Sequence, residues 1–254
     1  MAKDLDKKLA VGQGLDRYAS AVGLIGALLS TLGFILAFVL AAPVNGASVD
    51  GVEMIGGQMV SNQLLFSQKI FYFHMPAAVT SMVALAFTAW FGIRFLTTRD
   101  ARYDLRAKLA TEIALLFIIM TMFSGEMWER FEWGVWWTWE PRLTTYFILM
   151  LLVFAYFILR TAVDEPERRA TYASVFGIIT FIDVPICFMI TRLIPSSVHP
   201  VVFRTDSGLS PDMLVPLLLS MFGMFCIAFA LYRLRLRTET MAQEVDAIKR
   251  EIDE

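Results

Sequence analysis

Histidine and cysteine are almost missing from this chain, with two of each in 254 residues. Cys187 and Cys226 have no Cys-x-x-Cys spacing and each falls within a long apolar run, so they read as small buried side chains rather than a redox pair. No glycine-rich loop ending in Gly-Lys-Ser/Thr is present, so any ATP must be handled by another chain. Charged residues make up only 18% of the sequence and the net charge is −2, with no basic stripe outside short loops. Nucleic acid is therefore excluded as a partner. A cleavable signal peptide is not expected either, because the first apolar run follows about 19 charged and polar residues and is too long for a signal core. What the chain has in abundance is apolar side chains, 57% of the total, with a mean hydropathy of +0.60. That composition belongs to an integral membrane protein, not a soluble domain.

A helical span needs about 20 mostly apolar residues, and six segments qualify: roughly 20–42, 71–95, 108–127, 143–160, 170–194 and 213–234. The expected fold is an all-α bundle of six transmembrane helices, a single domain over residues 1–236. Lys and Arg crowd into the N-terminal tail, the second and fourth loops and the C-terminal tail. The exceptions among 22 basic residues are Lys69, Arg130, Arg142, Arg192 and Arg204. The positive-inside bias then puts both termini in the cytoplasm. Loops at about 43–70, 128–142 and 195–212 open on the outer face. Residues 237–254 form a short amphipathic tail in which Met241, Val245, Ile248 and Ile252 are spaced by four, three and four. It is a solvated extension of the last span or a docking helix for a cytoplasmic partner.

Five of the six tryptophans lie between residues 128 and 139, in Trp128-Glu129-Arg130-Phe131-Glu132-Trp133-Gly134-Val135-Trp136-Trp137-Thr138-Trp139. An aromatic belt at the lipid headgroups accounts for one or two indoles. A larger group also suits a platform for a flat ligand. In a helix, Trp133, Trp136, Trp137 and Glu140 would share a face. In an extended strand, Trp133, Val135, Trp137 and Trp139 would align. Pro141 follows, where the fourth span begins and a missing N–H does no harm. Arg142 lies on the outer face against the charge bias. It pairs with Glu140, Glu126, Glu129 or Glu132, or it holds an acidic group of a ligand.

Both histidines, His74 and His199, fall on the side of the tryptophans. Two imidazoles with no thiolate make a poor zinc site, but they suit the two axial positions of a haem. Haem also brings an apolar plane for the indoles and two propionates for Arg142, Lys69 or Arg204. Asp183, near the middle of the fifth span and followed by Pro185, is an intramembrane carboxylate with either a structural role or a part in a proton or ligand path.

Trp133-Gly134-Val135-Trp136-Trp137-Thr138-Trp139-Glu140-Pro141-Arg142-Leu143-Thr144 resembles the tryptophan-rich signature of the haem-handling superfamily of cytochrome c assembly. Its Arg-Leu-Thr ending is most similar to the CcmC family. Lys69 through Ala78 resembles that family's first histidine segment, and Asp183-Val184-Pro185-Ile186 followed by His199-Pro200 resembles the second. Glu140 stands where the motif usually has Asp, Pro141 where this family often has Ala, and the tryptophan pair expected before His199 is missing.

The resemblance implies that His74 and His199 are axial iron ligands. It places Trp133, Gly134, Trp136, Trp137, Trp139, Glu140 and Arg142 around non-covalent haem b. It implies haem presentation at the outer face of a prokaryotic cytoplasmic membrane, for covalent attachment to a periplasmic haem chaperone (CcmE-like) during cytochrome c biogenesis. It further implies as partners an ATP-binding-cassette pair (CcmA/CcmB-like) and a small one-span protein (CcmD-like). No catalytic residue is expected. The competing readings are a haem-containing membrane electron-transfer subunit, a synthetase attaching haem directly to apocytochrome c, and a permease whose tryptophans are only anchors.

Overall fold

A computed structural model describes residues 2–41, 52–55, 58–61, 68–194, 209 and 211–253. Among these described residues the α-helices are α1 (Ala2–Val39), α2 (Phe71–Thr98), α3 (Ala101–Trp133), α4 (Pro141–Ala162), α5 (Pro166–Leu193) and α6 (Pro211–Asp253). Each contains a segment long and apolar enough to cross a membrane, so the six-helix membrane bundle expected from hydropathy is present. One feature is additional. Strands β1 (Val52–Ile55) and β2 (Gln58–Ser61) pair antiparallel between α1 and α2, with Val52 opposite Ser61. A short 3-10 turn, Gln68–Ile70, then leads into α2.

The helices are longer than their apolar stretches because their charged ends are capped and stay helical. The loop expected between the second and third spans shrinks to Arg99 and Asp100. Arg99 adopts a left-handed conformation (φ 57°) and donates its N–H to the Phe95 carbonyl at 2.7 Å. Asp100 then caps α3 by accepting from the Arg102 N–H at 2.9 Å, the role short acidic side chains fill at helix starts. At the next turn Glu165 accepts from the Glu167 and Arg168 N–H groups, with Pro166 in the first helical turn. Those amides, Arg168's first, hold the Glu165 carboxyl below its ordinary range. Helix α6 runs unbroken past residue 237, and Met241, Val245, Ile248 and Ile252 are all exposed on it.

Helix α2 is the hub of the bundle, packed on α3, α5 and α6, while α4 lies mainly on α5 and α1 almost solely on α6. The main core joins Ala77 and Leu85 of α2 to Phe117 and Ile118 of α3, Leu149 and Val153 of α4, and Cys187 of α5. Between α1 and α6 the backbones nearly touch. A Cβ on Gly26 would come within 2.7 Å of the Gly223 carbonyl oxygen, the close approach that small residues allow in membranes. Two hydroxyl pairs cross the interior between helices, each group meeting a partner. Ser81 meets Tyr146 at 2.8 Å and Thr88 meets Thr111 at 3.0 Å. At the end of the bundle opposite the tryptophans, Arg160 of α4 makes a two-pronged pair with Asp104 of α3 at 2.6 and 2.8 Å. Nearby, Arg235 of α6 reaches Glu112 of α3 at 3.0 Å.

Candidate functional site

The end of α1, the start of α2, the end of α3, the start of α4, the end of α5 and the start of α6 all lie at one end of the bundle. His74 is there, four residues into α2, and its seat is made by one turn of α3. The Ser124 hydroxyl lies 3.0 Å from its Nδ1. Gly125 lets the ring approach the α3 backbone, since a Cβ there would lie 3.1 Å from His74 Cε1. Trp128 closes the pocket edge-on, with ring centroids 6.0 Å apart and planes at 76°. Trp128 in turn meets Phe71 edge-on at 6.5 Å. Ser124 and Trp128 are four residues apart on α3 and so share a face, which lets one helix surface supply all three of these contacts.

The tryptophan run is neither a continuous helix nor a strand. Helix α3 ends at Trp133, and Gly134 takes a left-handed turn (φ 74°) that a side chain would strain. From there the chain crosses to α4 without regular structure. The indoles are therefore divided into two groups. Trp128 sits beside His74, whereas Trp137 packs edge-on against Trp139 at 5.6 Å and Phe147 at 5.5 Å. Trp136 and Trp139 are largely exposed, at 59% and 74%, and the Arg130 guanidinium lies 5.8 Å from the Trp136 ring centre. Edge-to-face contacts of this kind stiffen an aromatic surface. Neither single-face pattern expected from the sequence survives, because the left-handed glycine resets the chain direction in the middle of the motif.

The charged residues divide just as clearly. Glu140 is buried and caps α4, its Oε2 accepting from the Arg142 N–H at 2.8 Å and the Leu143 N–H at 3.2 Å, with Pro141 in the first turn as expected. Since that carboxylate bonds to backbone, the Arg142 guanidinium has no carboxylate within ion-pair distance among the described residues. Lys69 is committed elsewhere. Its Nζ donates to the carbonyls of Ala37 and Ala41 at 2.8 and 2.6 Å, so it closes the C-terminal end of α1, where cations are favoured, rather than waiting for a ligand. Glu129 is buried, and neither carboxylate oxygen has a hydrogen-bond partner among the described residues. Asp183 accepts from the Cys187 thiol one turn along α5 at 3.4 Å, so a side chain of its own helix partners it.

His199 and Arg204 lie outside the described residues, as do the side chains of Glu132 and Trp133. Among the described residues no cluster of three or more His, Cys, Asp or Glu could hold a metal ion. Ser124, Gly125 and Trp128 were not singled out from sequence as parts of the site. Trp128 carried a signal, being a member of the indole run. Ser124 and Gly125 carried none, because their role depends on which helix faces His74.

Comparison with known proteins agrees with this architecture. The family described as "CcmC: Heme exporter protein C" matches residues 14–251. A "Heme exporter protein C" of Bradyrhizobium diazoefficiens is 30% identical over 186 residues, covering 71% of this chain and 70% of that protein. One from Rhodobacter capsulatus is 25% identical over 87% of this chain and 93% of its own length. One from Escherichia coli K12 is 26% identical over 69% and 71%. With a multi-pass helical bundle, a tryptophan-rich turn at one end and a family match over nearly its whole length, the chain belongs to the CcmC family of integral membrane proteins.

Proposed function

We propose that this chain binds haem b without covalent attachment at the outer face of the cytoplasmic membrane, with His74 and His199 as axial ligands, and presents it for attachment to a periplasmic haem chaperone in cytochrome c biogenesis. The observation that carries this reading is the seat of His74: an imidazole fixed by Ser124, Gly125 and Trp128 at the end of the bundle where Trp136, Trp139 and Arg142 are placed. The residues fit the cargo. An imidazole nitrogen suits iron, exposed indoles suit the porphyrin face or edge, and a guanidinium with no ion-paired carboxylate among the described residues suits a propionate. The relatives' printed name, heme exporter protein C, supports the same cargo.

What the chain does is hold and orient. Gly134 and Glu140 fix the two ends of the tryptophan turn, one as the left-handed stop of α3 and the other as the cap of α4. Trp136, Trp137 and Trp139 then form the surface between them, and Trp133 belongs to the same motif. Placing a reactive edge beside an acceptor is itself a large contribution to a covalent step. An exposed rim also allows release, which a buried electron-transfer site would resist. The concentration of basic residues in the other loops supports an outward-facing site. ATP-binding-cassette subunits and a small one-span protein would complete the assembly, because this chain has no phosphate-binding loop.

The test is the absorption spectrum of the purified protein beside His74→Ala and His199→Ala. Each variant is expected to lose the low-spin bis-histidine signature. An unchanged Soret band in both would count against the ligand assignment.

A further inference from the structure

We infer that Ser124 is a positioning residue that fixes the tautomer of His74, putting the proton on Nδ1 and the lone pair on Nε2. This rests on the reading of His74 as an axial ligand and goes beyond it. The inference comes from counting protons. The Ser124 oxygen lies 2.8 Å from the Met120 carbonyl oxygen, 3.1 Å from the Thr121 carbonyl oxygen and 3.0 Å from His74 Nδ1. A carbonyl has no proton to give, and two oxygens at 2.8 Å repel unless a proton lies between them. The single hydroxyl proton of Ser124 is therefore directed at the α3 backbone. Its oxygen can meet Nδ1 only as an acceptor, so Nδ1 must carry the ring proton.

A neutral imidazole with N–H at Nδ1 offers Nε2 as its metal-binding nitrogen, and the hydrogen bond at the opposite nitrogen aims the ring. The serine is itself rigid. It is buried, in the interior of α3, and its hydroxyl is anchored one turn back on the same helix. Gly125 and Trp128 both lie against the ring. Helix α3 thus supplies both the shape of the seat and the chemical identity of the ligating atom. A hydroxyl serves better here than a carboxylate would. It accepts from the ring N–H without placing a further negative charge beside the imidazole.

The test uses the full-length chain, produced in a haem-deficient host with 15N-labelled histidine and placed in phospholipid nanodiscs. With two histidines in the chain, the His199→Gln variant leaves His74 as the sole imidazole signal. The expected spectrum has a non-protonated Nε2 and a protonated Nδ1. Ser124→Ala should lose this preference and populate both tautomers, while Ser124→Thr, whose hydroxyl can reach the same carbonyl, should keep it. A protonated Nε2 in the parent protein, or an unaltered spectrum in Ser124→Ala, would overturn the inference. In haem titrations Ser124→Ala should bind about tenfold more weakly, the lower end of the usual cost of losing such a partner, with Ser124→Thr near the parent. Unaltered affinity in Ser124→Ala would overturn the positioning role. Unaltered affinity in His74→Ala would instead sink the ligand reading and leave the tautomer result standing.

Discussion

Gly125→Ala is the sharpest probe of how His74 is held. The added Cβ would stand 3.1 Å from His74 Cε1 and 3.6 Å from Nδ1, whereas carbon atoms settle at roughly 3.5–4.0 Å. The ring must therefore retreat by about half an ångström. It cannot slide freely, because Ser124 holds Nδ1 on one side and the Trp128 ring stands edge-on beside it. Overpacking of this kind costs about 1–3 kcal/mol, and replacing a mid-helix glycine by alanine returns about 0.5–1 kcal/mol. Net stability should fall by no more than about 2.5 kcal/mol. The ligand position suffers more, since a tolerance near 0.5 Å is about what such sites allow. Haem affinity should drop about tenfold, equivalent to about 1.4 kcal/mol. Gly125→Val, with more bulk at the same place, should abolish binding. Soret titration and thermal unfolding of the same nanodisc samples separate the two effects. Parent-like haem affinity in both variants would show that the imidazole is not confined as described, and the account of its seat would fail.

Three further outcomes follow from the same contacts. Asp104→Ala strands the Arg160 guanidinium between α3 and α4 and should cost about 3 kcal/mol, read as a lower unfolding temperature with haem ligation spectroscopically unchanged in the folded fraction. Glu140→Ala removes the α4 cap and should cost about 1 kcal/mol, while Glu140→Asp should be close to neutral; equal damage from both would mean that capping is not its contribution. Trp136→Ala should lower haem loading with little change in melting, because the ring is exposed. Trp137→Ala should lower both, because it packs on Trp139 and Phe147. Identical behaviour of the two variants would argue that the indoles serve only as membrane anchors.

Much of the molecule was legible along the chain because its causes are local. Six apolar runs specify six helices, since in lipid each span must satisfy its own backbone. Pro141 marks the start of its helix through backbone geometry alone. Crowding of five tryptophans into residues 128–139 pointed to a candidate functional end, and the resemblance to a haem-handling family rests on that same stretch. The hairpin of β1 and β2 escaped notice because its two strands are four residues each, too short for a periodic signal.

Tertiary packing decided what each charged or polar side chain does. Nothing near Lys69 in sequence says that it would cap α1, and nothing near Glu140 distinguishes a helix cap from a ligand contact. His74 and Ser124 are fifty positions apart. Only the docking of α2 on α3 brings hydroxyl, glycine and indole around one imidazole. Hydrophobicity specifies that a helix forms and that it enters the membrane. Which neighbour it meets, and at what rotation, depends on the fit of small and large side chains between helices, and that fit assigned the partners of His74.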